Sequence, residues 1–221
     1  MYERDYAKHA PKQIVSKLWE LWDSVPSQLA KENTKFMYSA IKSGARANQY
    51  QDAFTWLDRA SVIRRLYAAN TPGVPLGAMA IPQVFKVYLN DVGLLGARAG
   101  IPTESYLDMS TLHPAFRGAL VENYVLQSLL VQLPSAPVYW RSKNTAEVDF
   151  LAQIGTNVVP IEVKSGTAIT SKSLSVYRAQ YEPALAVRVS ARKLGYKDGL
   201  LSIPFYLTDG LSTIGGNILE Q

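Results

Sequence analysis

The stretch EVDFLAQIGTNVVPIEVKSG, residues 147–166, constrains the fold of this chain more than any other. Two runs rich in Val, Ile, Leu and Phe flank a Gly-Thr-Asn turn, short enough to make them neighbouring antiparallel strands. Alternate residues of a strand share a face, so Glu147 and Asp149 point one way and Val148 and Phe150 the other. On the second strand Glu162 and Lys164 share a face, with Ile161 and Val163 opposite. Asp149, Glu162 and Lys164 can then converge on one point. Two carboxylates a few ångströms apart repel unless a divalent cation or a lysine neutralises them, an arrangement suited to phosphodiester hydrolysis. In that chemistry Lys164 would orient the attacking water and stabilise charge on the phosphate. A cross-strand ion pair on a solvated sheet face is the plainer alternative.

A long amphipathic helix precedes the hairpin, PAFRGALVENYVLQSLLVQL, and one of its residues is out of place. Ala115, Gly118, Ala119, Val125, Leu126, Leu129 and Leu133 lie around Glu122 at three- and four-residue steps, so a lone carboxylate is centred on an apolar stripe. An unpaired buried Glu costs several kcal/mol or protonates. Its partner is therefore either a basic side chain (Arg117, Arg141 or Lys164) or a metal ion.

Composition narrows the choice of metal. The chain of 221 residues has no cysteine and only two histidines, His9 and His113, which excludes disulfides, cysteine-ligated zinc and a histidine-rich centre. Oxygen ligands remain, pointing to magnesium, manganese or calcium. No apolar run approaches the length that spans a bilayer, and MYERDYAKHAPKQ lacks the apolar core of a secretory signal, so a cytoplasmic location is expected. A net charge of +5 mildly favours an anionic partner such as nucleic acid.

The N-terminal half reads as helices followed by a β-ribbon. Ile14, Leu18, Leu21, Trp22 and Val25 have helical spacing, and Pro26 is expected to stop that helix. Tyr50, Ala53, Phe54 and Leu57 make a second compact stripe. SVIRRLYA and VFKVYLND then look like strands joined by a long turn-rich loop. This describes a winged helix-turn-helix, with Lys42, Arg46, Arg59, Arg64 and Arg65 as phosphate contacts if it binds DNA, or an adaptor packed on a neighbour if it does not. Residues 96–113 lose periodicity and mark a boundary or connecting lobe. After the hairpin, SKSLSVYRAQYEP offers Lys172, Arg178 and Gln180, with Tyr177 for stacking, or is an ordinary surface helix. ALAVRVS and LLSIPFYL read as further strands of a mixed sheet.

The order of a helix with Glu122, then YWRSKNTAEVDFL, then VVPIEVKSG resembles the PD-(D/E)XK nuclease superfamily. From about residue 10 to 210 the chain also looks like the C-terminal half of a bacterial and archaeal family of AAA-type predicted ATPases, on VPSQLAKENTKFMYSAIKSGARANQYQDAFTWLDRASVIRRLY, FKVYLNDVGLL, RGALVENYV and YWRSKNTAEVDF. In that family a P-loop domain precedes a winged helix and a nuclease-like domain of unknown function. The resemblance implies an α/β (α+β) chain with a residual linker or lid helix at 1–29, a winged-helix-like domain at 30–98 and a restriction-endonuclease-like PD-(D/E)XK mixed-sheet domain at 99–221. It implies Asp149, Glu162 and Lys164 as catalytic residues, Glu122, Asp149 and Glu162 as ligands of Mg2+ or Mn2+, and nucleic acid, DNA first, as the partner.

The P-loop itself is missing. The nearest string, GTAITSKS at Gly166 to Ser173, has Ser171 where the second glycine belongs, so its backbone cannot wrap phosphates and no nucleotide cofactor is expected. The chain reads as a fragment or truncated form lacking the ATPase core. The expected function is a magnesium-dependent nuclease-like domain of an ATPase-associated protein. The alternative is a non-catalytic DNA-binding or regulatory module in which the same charges form a relic ion-pair network.

Overall fold

The computed structural model describes residues 8–31, 35–143, 145–167 and 171–220. In chain order the elements are α1 (Val15–Leu29), α2 (Ala47–Arg59), β1 (Ile63–Ala69), β2 (Ile81–Leu89), α3 (Val92–Arg98), α4 (Glu104–Leu107), α5 (Pro114–Gln132), β3 (Val138–Arg141), β4 (Glu147–Ile154), β5 (Asn157–Val163), α6 (Lys172–Tyr181), β6 (Ala186–Ser190), β7 (Gly195–Lys197), β8 (Leu200–Pro204) and α7 (Leu211–Leu219). The chain divides into two compact units, residues 1–65 with 86–119 and residues 66–85 with 120–221. The expected boundary near 98 instead falls at 119, and the tip of the β1–β2 ribbon segregates with the second unit. The physical reason is strand pairing: Ala68 and Ala69 of β1 run parallel to Tyr139 and Trp140 of β3.

In the first unit α1 and α2 bury the two stripes read from the sequence, Leu18, Leu21, Trp22 and Val25 on one helix and Tyr50, Ala53, Phe54 and Leu57 on the other. Phe36 meets the Phe54 ring edge-on at 4.9 Å. Pro26 does not end α1, which continues to Leu29. Proline removes one donor from a helix, and here serine hydroxyls make local bonds instead: Ser24 Oγ donates to the Leu21 carbonyl and Ser27 Oγ to the Ser24 carbonyl. Burial of Val25 and Leu29 on the same face favours the extra turn. Residues 96–113, aperiodic in sequence, still hold the short helix α4, and a Cβ at Gly96 on α3 would push aside the Tyr106 hydroxyl packed against it.

The second unit is built on a mixed sheet of order β2-β1-β3-β4-β5-β6-β8-β7. β3, β4 and β5 form an antiparallel meander, β5, β6 and β8 run parallel, and β7 returns antiparallel at the edge. In the β4–β5 turn Gly155 takes φ +59° at the first central position, as a two-residue hairpin loop requires. The expected second C-terminal strand, LLSIPFYL, ends at Pro204 and gives way to a short 3-10 stretch. The edge strand β7 and the helix α7 carried no sequence signal, one being three residues long and the other interrupted by Gly215 and Gly216.

One core cluster joins these elements: Ala69, Leu76, Val138, Trp140, Val148, Leu151, Leu174, Tyr177 and Ala186 are all buried. Tyr177 meets Trp140 edge-on at 5.2 Å, an arrangement that adds to the area both rings bury. It is 1% exposed and so unavailable for the base stacking expected of it. The Asn70 carbonyl accepts from both Trp140 Nε1 at 3.1 Å and the Tyr181 hydroxyl at 3.2 Å, tying the end of β1 to β3 and α6. Among the described residues no helix is long and apolar enough to cross a membrane.

Candidate active site around Glu162

The hairpin places its charges as the alternation requires. Phe150 pairs with Ile161, so one further step along the ladder sets Asp149 opposite Glu162 on one face. Asp149 Oδ2 reaches across and accepts from the Val163 backbone N–H at 2.7 Å. Lys164 Nζ donates to Glu162 Oε1 at 2.6 Å. Glu162 itself is 3% exposed, and its Oε2 has no hydrogen-bond partner among the described residues. Glu147 lies at the start of β4, where its carboxylate is 3.9 Å from the Arg141 guanidinium, a loose ion pair.

Burial dominates the electrostatics of Glu162. Loss of solvent, and then the neighbouring Asp149 carboxylate, push its pKa up to about 7, while Lys164 and the Ser171 hydroxyl oppose that rise. Burial alone would lower the Lys164 pKa, but Glu162, Asp149 and Glu122 together hold it above the ordinary lysine value. The pair thus sits near the point where one proton more or less changes its charge at neutral pH. A carboxyl poised there can exchange a proton or take up a cation.

Glu122 stands on α5, half-buried, between the buried positions Val121 and Asn123. Its field reaches Lys164, so it belongs to the same charge cluster. Among the described residues, however, no three of His, Cys, Asp and Glu come together closely enough to hold a metal ion. Of the residues expected to contact nucleic acid, Arg64 is bonded to Asn90 and Ser61, and Arg65 grips Asp58 Oδ2 with both Nε and Nη2. Arg46 is exposed at the start of α2, Lys172 is exposed on α6, and Arg178 donates to the Asp198 carbonyl.

Sequence reasoning assigned no role at the site to Ser171. It caps α6, its hydroxyl accepting from the Leu174 N–H at 3.2 Å, and it also favours the charged form of Glu162. A serine directly before a helical run is the sequence signal for such a cap, and the same serine is what breaks the phosphate-loop pattern. Residues 168–170 of that loop, and Asn144 before β4, lie outside the described residues.

Comparison with known proteins divides the chain in a similar place. Residues 117–207 match a family model described as a domain of unknown function (DUF4143), and residues 1–105 match another domain of unknown function (DUF8612). Uncharacterized proteins of Mycobacterium bovis and Mycobacterium tuberculosis are each 28% identical to this chain over 188 residues, 83% of it. The chain spans about 40% of the length of these curated relatives. No solved structure matches it at a significant level.

Proposed function

We propose that the second unit is a PD-(D/E)XK nuclease-like domain, a magnesium-dependent phosphodiesterase acting on nucleic acid. The observation carrying this reading is Glu162, 3% exposed with Oε2 unpartnered among the described residues, directly across from a second carboxylate. An antiparallel hairpin running on into parallel strands, preceded in the chain by the Glu122 helix, supports the fold assignment.

Glu162 and Asp149 fit a hard divalent cation, because a buried carboxylate with a half-buried one opposite it on the ladder gains from positive charge. Magnesium completes its shell with water and commonly takes only one or two protein carboxylates, so a third close ligand is not required. Glu122 would then act at longer range, through its field on Lys164. Bound there, Mg2+ or Mn2+ would supply an activated water and neutralise phosphate charge. Lys164 would leave Glu162 Oε1 to stabilise the negative charge that develops on the phosphate. The first unit is read as winged-helix-like, with exposed Arg46 and Arg59 as phosphate contacts. An AAA-type ATPase domain in the remainder of a longer protein would be the physical partner.

A second reading is favoured by one distance. Lys164 Nζ at 2.6 Å already neutralises Glu162, as in a regulatory module without catalysis. Titration calorimetry with Mg2+ or Mn2+, paired with plasmid nicking, separates the two. Millimolar or tighter binding that Asp149→Asn abolishes, with nicking lost in Lys164→Gln, is the expected result. No heat and no nicking would leave the ion pair structural.

A further inference from the structure

The second unit also carries a feature of opposite charge. After β6 the chain runs through Arg192 and Lys193 into the β7–β8 hairpin, turned by Asp198 at φ +51° and Gly199 at φ +70°. Positive φ at both central residues is what a type I′ turn demands, and Asp-Gly provides it. Between this hairpin and α6 lies a cleft of about 640 Å³, lined by Arg178, Arg188, Arg192, Lys193, Tyr196 and Lys197 among others. An adjoining cleft of about 670 Å³ shares Arg178 and Arg188 and extends to Lys172 and Ser171, the residue that favours the charged form of Glu162. Among the described residues Asp198 is the one acidic residue lining either.

Ordinary fold requirements explain part of this charge. Lysines on an edge strand discourage pairing with other chains, which accounts for Lys193 and Lys197. They do not account for Arg188, which is 7% exposed and bonded to Ser202 Oγ at 2.8 Å. Burial, and then the like charge of Arg192, lower its pKa. Arg178, Arg192, Lys193 and Lys197 make no ion pair among the described residues. Arg178 and Arg192 are half-buried and Lys193 and Lys197 exposed, so like charges converge here with little carboxylate, a repulsion that a bound anion relieves. Guanidinium groups suit phosphate oxygens, which they bind in two-pronged fashion. Tyr196, 54% exposed on β7, adds a ring beside these charges.

We propose that this groove holds the backbone of a single-stranded nucleic acid, with Tyr196 stacking on a base. Cations tracking a backbone beside an exposed ring make the platform single strands use. An acidic peptide would use the cations and leave the ring idle. The strand's direction, toward Glu162, rests on the phosphodiesterase reading; the binding does not.

The test is fluorescence anisotropy of a labelled 15-nucleotide oligo-dT with the full chain in EDTA. The triple variant Arg192→Glu, Lys193→Glu, Lys197→Glu is expected to weaken binding at least tenfold. It should also reduce the slope of log affinity against log salt by about 2, roughly 0.7 per lost phosphate contact. Tyr196→Ala is expected to weaken oligo-dT several-fold and leave inorganic polyphosphate unchanged. The proposal is overturned if oligo-dT does not bind at tens of micromolar, or if the control variant Lys8→Glu, Lys12→Glu, Lys31→Glu, at exposed lysines of the first unit, weakens it as much as the groove variant. Displacement by polyglutamate as efficient as by unlabelled oligo-dT would overturn it in favour of an acidic polypeptide. Intact binding without metal-dependent cleavage would sink the phosphodiesterase reading alone.

Discussion

Two Glu–Lys pairs, one in each unit, have nearly the same bond length and opposite electrostatics. Glu20 and Lys42 meet at 2.9 Å with side chains 34% and 58% exposed. Glu162 and Lys164 meet at 2.6 Å with 4% and 32% exposed. Hydrogen bonds from the Tyr50 hydroxyl and then from Lys42 hold the Glu20 pKa below the usual carboxylate value. Burial pushes Glu162 the other way despite its lysine. What differs is the solvent removed and the donors left: Glu20 keeps water and gains a phenol, whereas Glu162 loses water and faces Asp149. A lysine close by does not by itself make a carboxylate stable.

The sharpest way to break that contrast is to delete the two lysines. Lys164→Met leaves a buried carboxylate uncompensated and is expected to cost on the order of 3 kcal/mol at pH 8, measured by urea unfolding. Lys42→Met, at an ammonium that stays in solvent, is expected to leave the urea midpoint almost unchanged. Equal losses would mean that burial does not distinguish the pairs.

Glu162→Gln should do the reverse. Because the folded value lies near 7 and the ordinary one at 4.5, the folded protein holds the excess proton between them. Wild-type stability from this group therefore falls as pH rises from 4.5 through 7. The full difference corresponds to about 3 kcal/mol, an upper limit because the variant also loses the lysine pair. The variant is expected to be more stable than wild type at pH 8 by about 2 kcal/mol, with the gain vanishing below pH 4.5. A flat difference across pH would contradict the assigned charge state.

The smallest effect belongs to Glu20→Gln. A depressed carboxylate contributes stability above its unfolded pKa and loses it as pH falls through the folded one. With a partly exposed pair the expected loss is about 0.5 kcal/mol at pH 7, shrinking as the pH falls below the ordinary carboxylate range, in the same unfolding series. A loss that grows toward low pH would reverse the sign.

Much of the hairpin was legible because a strand has period 2: once the Gly155 turn was located, Asp149, Glu162 and Lys164 had to share a face. The stripes of α1 and α2 were legible for the analogous reason at helical period. The burial of Tyr177 was not, since an aromatic on a short polar helix looks the same whether it faces Trp140 or solvent. Nor was the basic groove, whose Arg178, Arg188 and Lys197 come from a helix and two strands, the strands joined through β8, which pairs with β6 on one side and β7 on the other. Glu122 was recognisable as an anomaly on its helix, while its distance from the other carboxylates depended on packing that periodicity does not encode.

The parallel pairing of β1 with β3 has a practical consequence for dissecting the chain. A fragment begun at residue 99 would contain the carboxylates and the groove but not Ala68, Ala69 or the Asn70 carbonyl that accepts from Trp140 and Tyr181. Its β3 would become a bare sheet edge carrying a tryptophan deprived of its acceptor, which invites association between copies. Expression of the isolated site therefore calls for residues 63–89 as well, joined across the excised helices, rather than for a cut at the apparent boundary.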